Sequence, residues 1–252
     1  MTLFSRFHKF ASPMHFFDLA GKIIPWLWWV FVVLAVVGLI GGLVYAPTDY
    51  QQGDSFRIIY VHVPSAWMSL FIYMNMASAG VVSLIWKIKV ADAFARAAAP
   101  LGASFTFLAL VTGSLWGKPM WGTYWVWDAR LTAELILLFL YLGYIALQNA
   151  IEDPRGAARA GAILAIVGTV NIPIIHYSVE WWNTLHQGPT VSKFDAPSIH
   201  WTMLVPLLAM TASFMAYFGA LVLKRTQSEL IAMEPRSKWV MERFKSYINP
   251  TL

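Results

Sequence analysis

Residues Trp116–Arg130 read WGKPMWGTYWVWDAR and separate two long apolar runs. The stretch holds four tryptophans (Trp116, Trp121, Trp125, Trp127), Tyr124, three charged residues and two glycines. Tryptophan buries a large apolar surface and carries one polar handle, so it suits a boundary between apolar and wet surroundings and is a poor choice for a linker. Such a segment needs something broad, flat and apolar to lie against. The candidates are a bilayer surface, the rest of the chain, or a ligand.

The surrounding composition decides the class. The 252 residues are 58% hydrophobic and 12% charged, with a mean hydropathy of +0.58, whereas soluble domains carry roughly 25% charged residues. This is the composition of a membrane protein. The chain has no cysteine, which excludes a disulfide framework, a thioredoxin-like dithiol, a thiolate metal site and a C-x-x-C-H site for covalent haem. Gly113–Lys118 is the nearest approach to a Walker A loop, but its spacing is wrong and Pro119 follows where Ser or Thr belongs. Any ATP used is used by another subunit.

Six runs are long and apolar enough to span the hydrocarbon core as helices, for which about 18 residues suffice. They are Ile23–Ala46, Ile58–Trp86, Ala97–Trp116, Leu131–Ala150, Ala160–Val179 and Ala196–Leu223, and Glu134 is the single charge among them. The first run follows a polar leader without a small-residue cleavage site, so a retained helix is expected, not a signal peptide. Lysines and arginines concentrate on the cytoplasmic side of membrane proteins. With the N-terminus cytoplasmic, that side takes fourteen of the eighteen, and the other takes Arg57, Lys118, Arg130 and Lys193. The expectation is an all-α polytopic membrane protein, one domain over residues 1–252, with six transmembrane helices and both termini cytoplasmic. The net charge of +5 is then a topology signal, and no nucleic acid is needed to explain it. The outer side receives loops at about 47–57, 117–130 and 180–195. The tail from Lys224, with Trp239, Phe244 and Tyr247 among mixed charges, is expected to form an amphipathic surface helix.

Tryptophans gather at both interfaces of a membrane, and Trp26, Trp28, Trp29 and Trp86 fit that role. Eight of thirteen, however, fall on the outer side: Trp67, Trp116, Trp121, Trp125, Trp127, Trp181, Trp182 and Trp201. If Trp121–Asp128 is helical, Trp121, Trp125 and Asp128 share one face and form an aromatic shelf ending in a carboxylate. Composition alone leaves a lipid belt and a ligand platform level. Four of the six histidines (His62, His176, His186, His200) also lie at or near the outer side, whereas His8 and His15 belong to the leader. A histidine in a membrane segment is a functional candidate. His62 and His186 come from different parts of the chain and could approach a planar ligand from opposite faces. Neutral imidazole is a good ligand for iron, and haem takes its axial ligands perpendicular to its plane. Haem, flat, apolar and anionic at its propionates, matches the shelf, the histidines and the cations Arg57, Lys118 and Arg130. Zinc fits less well, since the histidines lack tight spacing and a small ion needs no tryptophans. Asp128 is equally suited to cap the fourth helix. Glu134 could snorkel to the interface or orient a histidine. Asn171 and Pro173 are expected to kink the fifth helix, opening space near His176.

The segment WGKPMWGTYWVWDARLT resembles the tryptophan-rich signature W-G-x-x-W-x-W-D of haem-handling membrane proteins. With six helices, HVPSAW at His62 and EWWNTLHQG at His186, the chain resembles the cytochrome c maturation protein C family, also called haem exporter protein C, over nearly its whole length. The resemblance implies that His62 and His186 are axial ligands of a haem iron at the outer face. It implies that Trp116, Trp121, Trp125, Trp127 and Asp128 form the haem platform, and that haem, of b type and held without a covalent bond, is in transit. It further implies handover to a periplasmic haem chaperone (maturation protein E) at the bacterial inner membrane. The implied complex includes a small single-helix subunit (protein D) and an ABC transporter pair (proteins A and B), whose ATPase serves release of the loaded chaperone. The function expected is haem handover, not catalysis. Two alternatives stay open: a b-type membrane cytochrome in quinone-linked electron transfer, and a permease that moves haem across the bilayer.

Overall fold

The computed structural model describes residues 11–245 except 189, 192 and 194. His8, the leader cations Arg6 and Lys9, Pro189 and Tyr247 therefore lie outside the described residues. Six helical spans are long and apolar enough to cross a membrane: Pro13–Tyr45, Asp54–Trp86, Lys89–Trp121, Ala129–Ala150, Pro154–Trp181 and Trp201–Met233. The chain is all-α in its described part, apart from one isolated bridge between Asp49 and Gly53.

Helix α1 (Pro13–Ile40) opens with proline at its first position, where the missing N–H costs nothing, and closes in a π-helical turn, Gly41–Tyr45. Helix α2 (Ile59–Trp86) follows a 3₁₀ turn at Asp54–Ile58. Helix α3 (Lys89–Trp121) and helix α4 (Ala129–Ala150) flank the tryptophan stretch. The fifth apolar run is two helices, α5 (Pro154–Gly168) and α6 (Asn171–Trp181). Helix α7 (Trp201–Met233) and the short α8 (Lys238–Arg243) complete the described elements. Helix α3 runs beyond its expected run at both ends, and α7 runs beyond its end through Lys224 and Arg225. A helix does not stop where hydrocarbon stops: polar residues continue it into water as long as its hydrogen bonds are kept.

Helix α3 is the centre of the bundle, packed on α2, α4 and α7, while α1 packs almost wholly on α7. Lipid tails are as apolar as leucine, so helices in a membrane associate by close fit, and small residues permit it. The buried face of α3 is accordingly rich in alanine, with Ala93, Ala97, Ala98 and Ala99 fully enclosed. Gly102 lies directly against the Tyr141 ring of α4, whose hydroxyl donates to the Ser69 carbonyl of α2 at 2.7 Å. On the other side, a Cβ at Gly80 of α2 would sit 3.2 Å from the Ala162 backbone of α5.

The expected kink in the fifth run is present as a tight turn at Thr169 and Val170, which keep helical dihedral angles within one span, Pro154–Trp181. Pro173 has no N–H to offer the Thr169 carbonyl, and the chain passes through a tight turn in which Ile172 N donates to Thr169 O at 3.0 Å. Asn171 Nδ2 then donates to the Ala133 carbonyl of α4 at 2.9 Å, which directs α6 onto α4. The tail departs from expectation: its first part extends α7, and α8 folds back on α1. There Trp239 packs 5.6 Å from Phe17 and Arg243 pairs with Asp18 at 2.6 Å. Lys89 meets Glu234 at 2.5 Å, so both described chain ends lie at one end of the bundle. The loops at 46–53, 122–128 and 182–200 lie at the other, the loop end.

Gly102→Val is expected to destabilise the bundle by about 1–3 kcal/mol, the usual cost of overpacking a tight contact. A lowered melting temperature in detergent checks it; an unchanged melt would mean the Tyr141 ring yields without loss.

Candidate functional site

His62 lies in the first turn of α2 beyond the 3₁₀ segment and faces α3. Its Nδ1 is 3.0 Å from the Ala109 carbonyl and 3.1 Å from Thr112 Oγ1. A carbonyl only accepts, so Nδ1 carries the proton and Nε2 keeps its lone pair. The ring reaches α3 because position 113 is glycine: a Cβ there would stand 2.9 Å from His62 Cε1. Burial is nearly complete, at 9% exposure.

His186 comes from the loop between α6 and α7. Its Nδ1 is 2.9 Å from the Gln187 carbonyl, which by the same logic leaves Nε2 as the free nitrogen. Burial lowers its pKa below the ordinary histidine value, and the nearby Arg130 guanidinium lowers it further, so the neutral ring is favoured. The two ring centroids are 6.4 Å apart with planes inclined by 38°. Neither Nε2 hydrogen-bonds a described residue.

Tryptophans support both rings. The Trp116 ring meets His62 at 5.6 Å, nearly perpendicular, and its Nε1 donates to Gln52 Oε1 at 2.9 Å. The Trp121 ring lies 6.2 Å from His186 and folds back over Gly117, where a Cβ would stand 2.9 Å from it. These four rings bound an inner pocket of about 70 Å³, which opens into a cleft of about 520 Å³ at the loop end. His62, Trp116, Arg130 and His186 line both. Small-molecule sites span roughly 300–1,000 Å³, so it is the cleft, with the inner pocket as its deep end, that has the volume for a large planar ligand.

The expected helical shelf is not present. Helix α3 ends at Trp121 because Gly122 adopts a left-handed conformation, φ 77°, open to glycine without strain. Residues 122–128 are non-helical, with Thr123 Oγ1 donating to the Trp125 carbonyl at 3.1 Å. Trp121 therefore does not share a helix face with Trp125 and Asp128. Trp125 and Trp127 pack against each other at 5.4 Å, outside the lining of either pocket. Asp128 Oδ1 caps α4 by accepting from Leu131 N at 2.8 Å. Its Oδ2 and the Trp125 Nε1 are buried without a hydrogen-bond partner.

Glu134 neither snorkels nor orients a histidine. It is buried at the wall of the inner pocket and accepts from Ser69 Oγ at 2.7 Å. Of the four outer cations, Arg130 alone lines the pockets, with Nη1 donating to the Ile175 carbonyl at 2.6 Å. Arg57 is engaged with Asp54 and the Gly42 carbonyl, and Lys118 with the Gly122 carbonyl and the Tyr124 ring. His200 caps α7, where its Nδ1 accepts from Thr202 N, and His176 lines the outer cleft. Gln52, Ala109, Thr112 and Gly113 were not singled out by sequence, since their parts depend on contacts between helices far apart in the chain.

The arrangement is suited to coordination. Two metal–nitrogen bonds of roughly 2.0–2.1 Å, with the rings end-on, place imidazole centroids about 6.3 Å apart, close to the spacing found here. Both nitrogens not used for the metal are held by carbonyls, the usual means of fixing a ligating tautomer. Among the described residues no group of three or more His, Cys, Asp or Glu is placed to hold a bare metal ion.

Comparison with known proteins places this geometry in context. Residues 6–241 match the family described as "Heme exporter protein C". The chain is 53% identical over 235 residues to Heme exporter protein C of Escherichia coli (strain K12), covering 93% of this chain and 95% of that protein. It is 52% identical over 233 residues to Heme exporter protein C of Haemophilus influenzae, covering 92% and 95%. A mitochondrial protein of Marchantia polymorpha, named as ccmC-like and for cytochrome c biosynthesis, is 49% identical over 187 residues, covering 74% and 79%.

Because Arg130 adds to the effect of burial on His186, Arg130→Gln is expected to raise the His186 titration midpoint toward the free-imidazole value of about 6.5. Ring-proton NMR of the selectively labelled protein checks this; a midpoint that stays put or falls would remove Arg130 from the electrostatics of the site.

Proposed function

The chain belongs to the haem exporter protein C family, and on that footing we propose that it holds haem between His62 and His186 and hands it on for c-type cytochrome maturation. The observation that carries the assignment is the pair of carbonyl-anchored imidazoles, 6.4 Å between centroids, each with Nε2 unspent. Haem is cargo here. Iron bound on both faces has no open axial position, which keeps oxygen chemistry away while the cargo waits. Trp116 and Trp121 supply apolar walls against the porphyrin. Arg130, the cation lining the pocket, is the residue to meet a propionate.

The remaining residues of the tryptophan signature take a different place in this proposal. Trp127 is 76% exposed, and in this proposal it serves with Trp125 and Asp128, all outside the pocket lining, as a rim. A rim of that kind suits a partner that takes the haem away. The family resemblance supplies that partner's identity, a periplasmic haem chaperone, and the other subunits, protein D and the transporter pair A and B. An exporter subunit of this kind transports and presents; it is not an enzyme.

The distribution of positive charge supports an orientation with both termini cytoplasmic and the loop end periplasmic, in the inner membrane of a bacterium. In this proposal residues 1–252 act as one six-helix unit. The permease alternative would draw on the kinked fifth span, since interrupted helices mark transporter sites. Asn171 is, however, spent on the Ala133 carbonyl, and Tyr73, Leu137 and Tyr141 fill the bundle beneath the pocket with no exposed surface. For a cytochrome carrying electrons across the membrane, a histidine pair deeper in the bundle would be needed; the paired rings lie at the loop end.

The double variant His62→Ala/His186→Ala is expected to insert normally and to lose essentially all haem that co-purifies with the wild type, together with the six-coordinate absorption spectrum. Normal haem content in that variant would sink the ligand assignment.

A further inference from the structure

The cleft that meets the paired histidines also runs down between two of the membrane-spanning helices. Helices α2 and α5 are in tight contact where Gly80 meets Ala162. Past the turn at Thr169–Val170, α6 is drawn onto α4 by Asn171 and by the Ile175 carbonyl that takes Arg130. Helix α6 packs on α4 and makes at most sparse contact with α2 or α7. The two strands of the bundle wall, α2 and α6, therefore part company over the half of the membrane next to the loop end.

The gap between them is the lower part of the outer cleft. Ala66, Trp67 and Leu70 of α2 line it on one side, and His176 and Val179 of α6 on the other. It is continuous with the space bounded by His62, Arg130 and His186. Leu70 lies eight residues beyond His62, about 12 Å along a helix axis. The cleft thus descends well into the apolar depth of the span, where an opening that served only water-borne ligands has no reason to go. Phe71 and Met74, next along α2, are exposed apolar residues outside the cleft lining, and the Phe71 ring meets Phe218 of α7 edge-on at 6.2 Å. His176 is half-buried in this wall and hydrogen-bonds no described residue; its ring rests against that of Tyr177 at 4.7 Å. An unspent imidazole in a membrane segment is costly to keep without use.

We infer that the planar, mostly apolar cargo reaches His62 and His186 sideways from the outer leaflet, through the cleft between α2 and α6, and that His176 meets the iron on the way. This rests on the haem-holding function proposed above. Haem's apolar faces and edges favour the bilayer over water, so a lateral path takes the cargo from where it concentrates. Iron would exchange the His176 nitrogen for one of the paired imidazoles, with no change in its electron count.

The test uses the haem-free full chain in lipid nanodiscs, with haem offered either dissolved in donor vesicles or carried in water by albumin. The readout is the rate at which the six-coordinate spectrum appears. Narrowing the cleft with Leu70→Trp/Val179→Trp is expected to slow loading from vesicles at least tenfold and to leave loading from albumin unchanged, with melting behaviour checked first. Equal vesicle rates in the narrowed and wild-type chains overturn the path. His176→Ala is expected to slow vesicle loading several-fold; an unchanged rate removes His176 from it. If the wild type takes up haem from neither source, the haem-holding proposal itself fails, and a readout without haem still judges the cleft. Single cysteines placed by Leu70→Cys or Val179→Cys, in a chain with no other cysteine, should react faster with a lipid-dissolved maleimide than with a charged water-soluble one. The reverse order overturns lateral access.

Discussion

The hydrogen bond from His62 to the Ala109 carbonyl is the contact on which the site depends. It crosses between two helices, and it exists because Gly113 leaves room for the ring. The carbonyl has two lone pairs and can serve its own helix and the imidazole together. The bond fixes which nitrogen carries the proton, and so which nitrogen faces the cavity. Without it the ring would be a buried polar group with a choice of tautomers. With it, the free nitrogen of His62 has its direction set before any ligand arrives, which is what the proposed role requires. His186 reaches the same state by a more local route, through the carbonyl of the next residue, and owes its position to a loop.

The two ends of the bundle are built on opposite plans. At the end carrying both described termini, ion pairs and stacked rings join α1, α3, α7 and α8: Lys89 with Glu234, Arg243 with Asp18, Trp239 against Phe17. Single exposed pairs contribute little, about 0–1 kcal/mol each, and these add to the extensive packing of α1 on α7 by joining α8 to α1 and the start of α3 to the end of α7. At the loop end the helices separate around a cavity. An assembly that must hold a large ligand and release it needs that end open, and the alanine-rich centre of α3 supplies the rigid frame from which it opens.

The kink in the fifth span shows how one local deficit is turned into shape. Pro173 removes a backbone donor, Asn171 compensates with a side-chain donor to α4, and the Ile175 carbonyl receives Arg130 from the pocket wall. Each of these is a small hydrogen-bond transaction. Together they direct α6 onto α4, and α6 makes at most sparse contact with α2.

Six spans were legible in the sequence because the bilayer imposes a local rule: about twenty apolar residues in a row, whatever the neighbours. The concentration of tryptophan and histidine near one face was legible for the same reason. The capping role of Asp128 was visible as one of two possibilities, and the glycine that ends α3 was visible as a residue type. The conformation of residues 122–128 was not, because periodicity carries through a glycine unless its dihedral angles are known, and a shelf of helical spacing was expected where the chain is non-helical. The pairing of His62 with His186 was put forward from their separation in the chain and made specific by family resemblance; spacing alone could not prefer it over His176 or His200. Only the tertiary structure decided that Ala109, Gly113 and Gln52 orient the site, that Glu134 binds Ser69, and that Arg130 is the cation facing the pocket. Hydrophobic length acts along the chain and can be read from it; the direction of a nitrogen lone pair is set by a carbonyl forty-seven residues away, and only folding brings the two together.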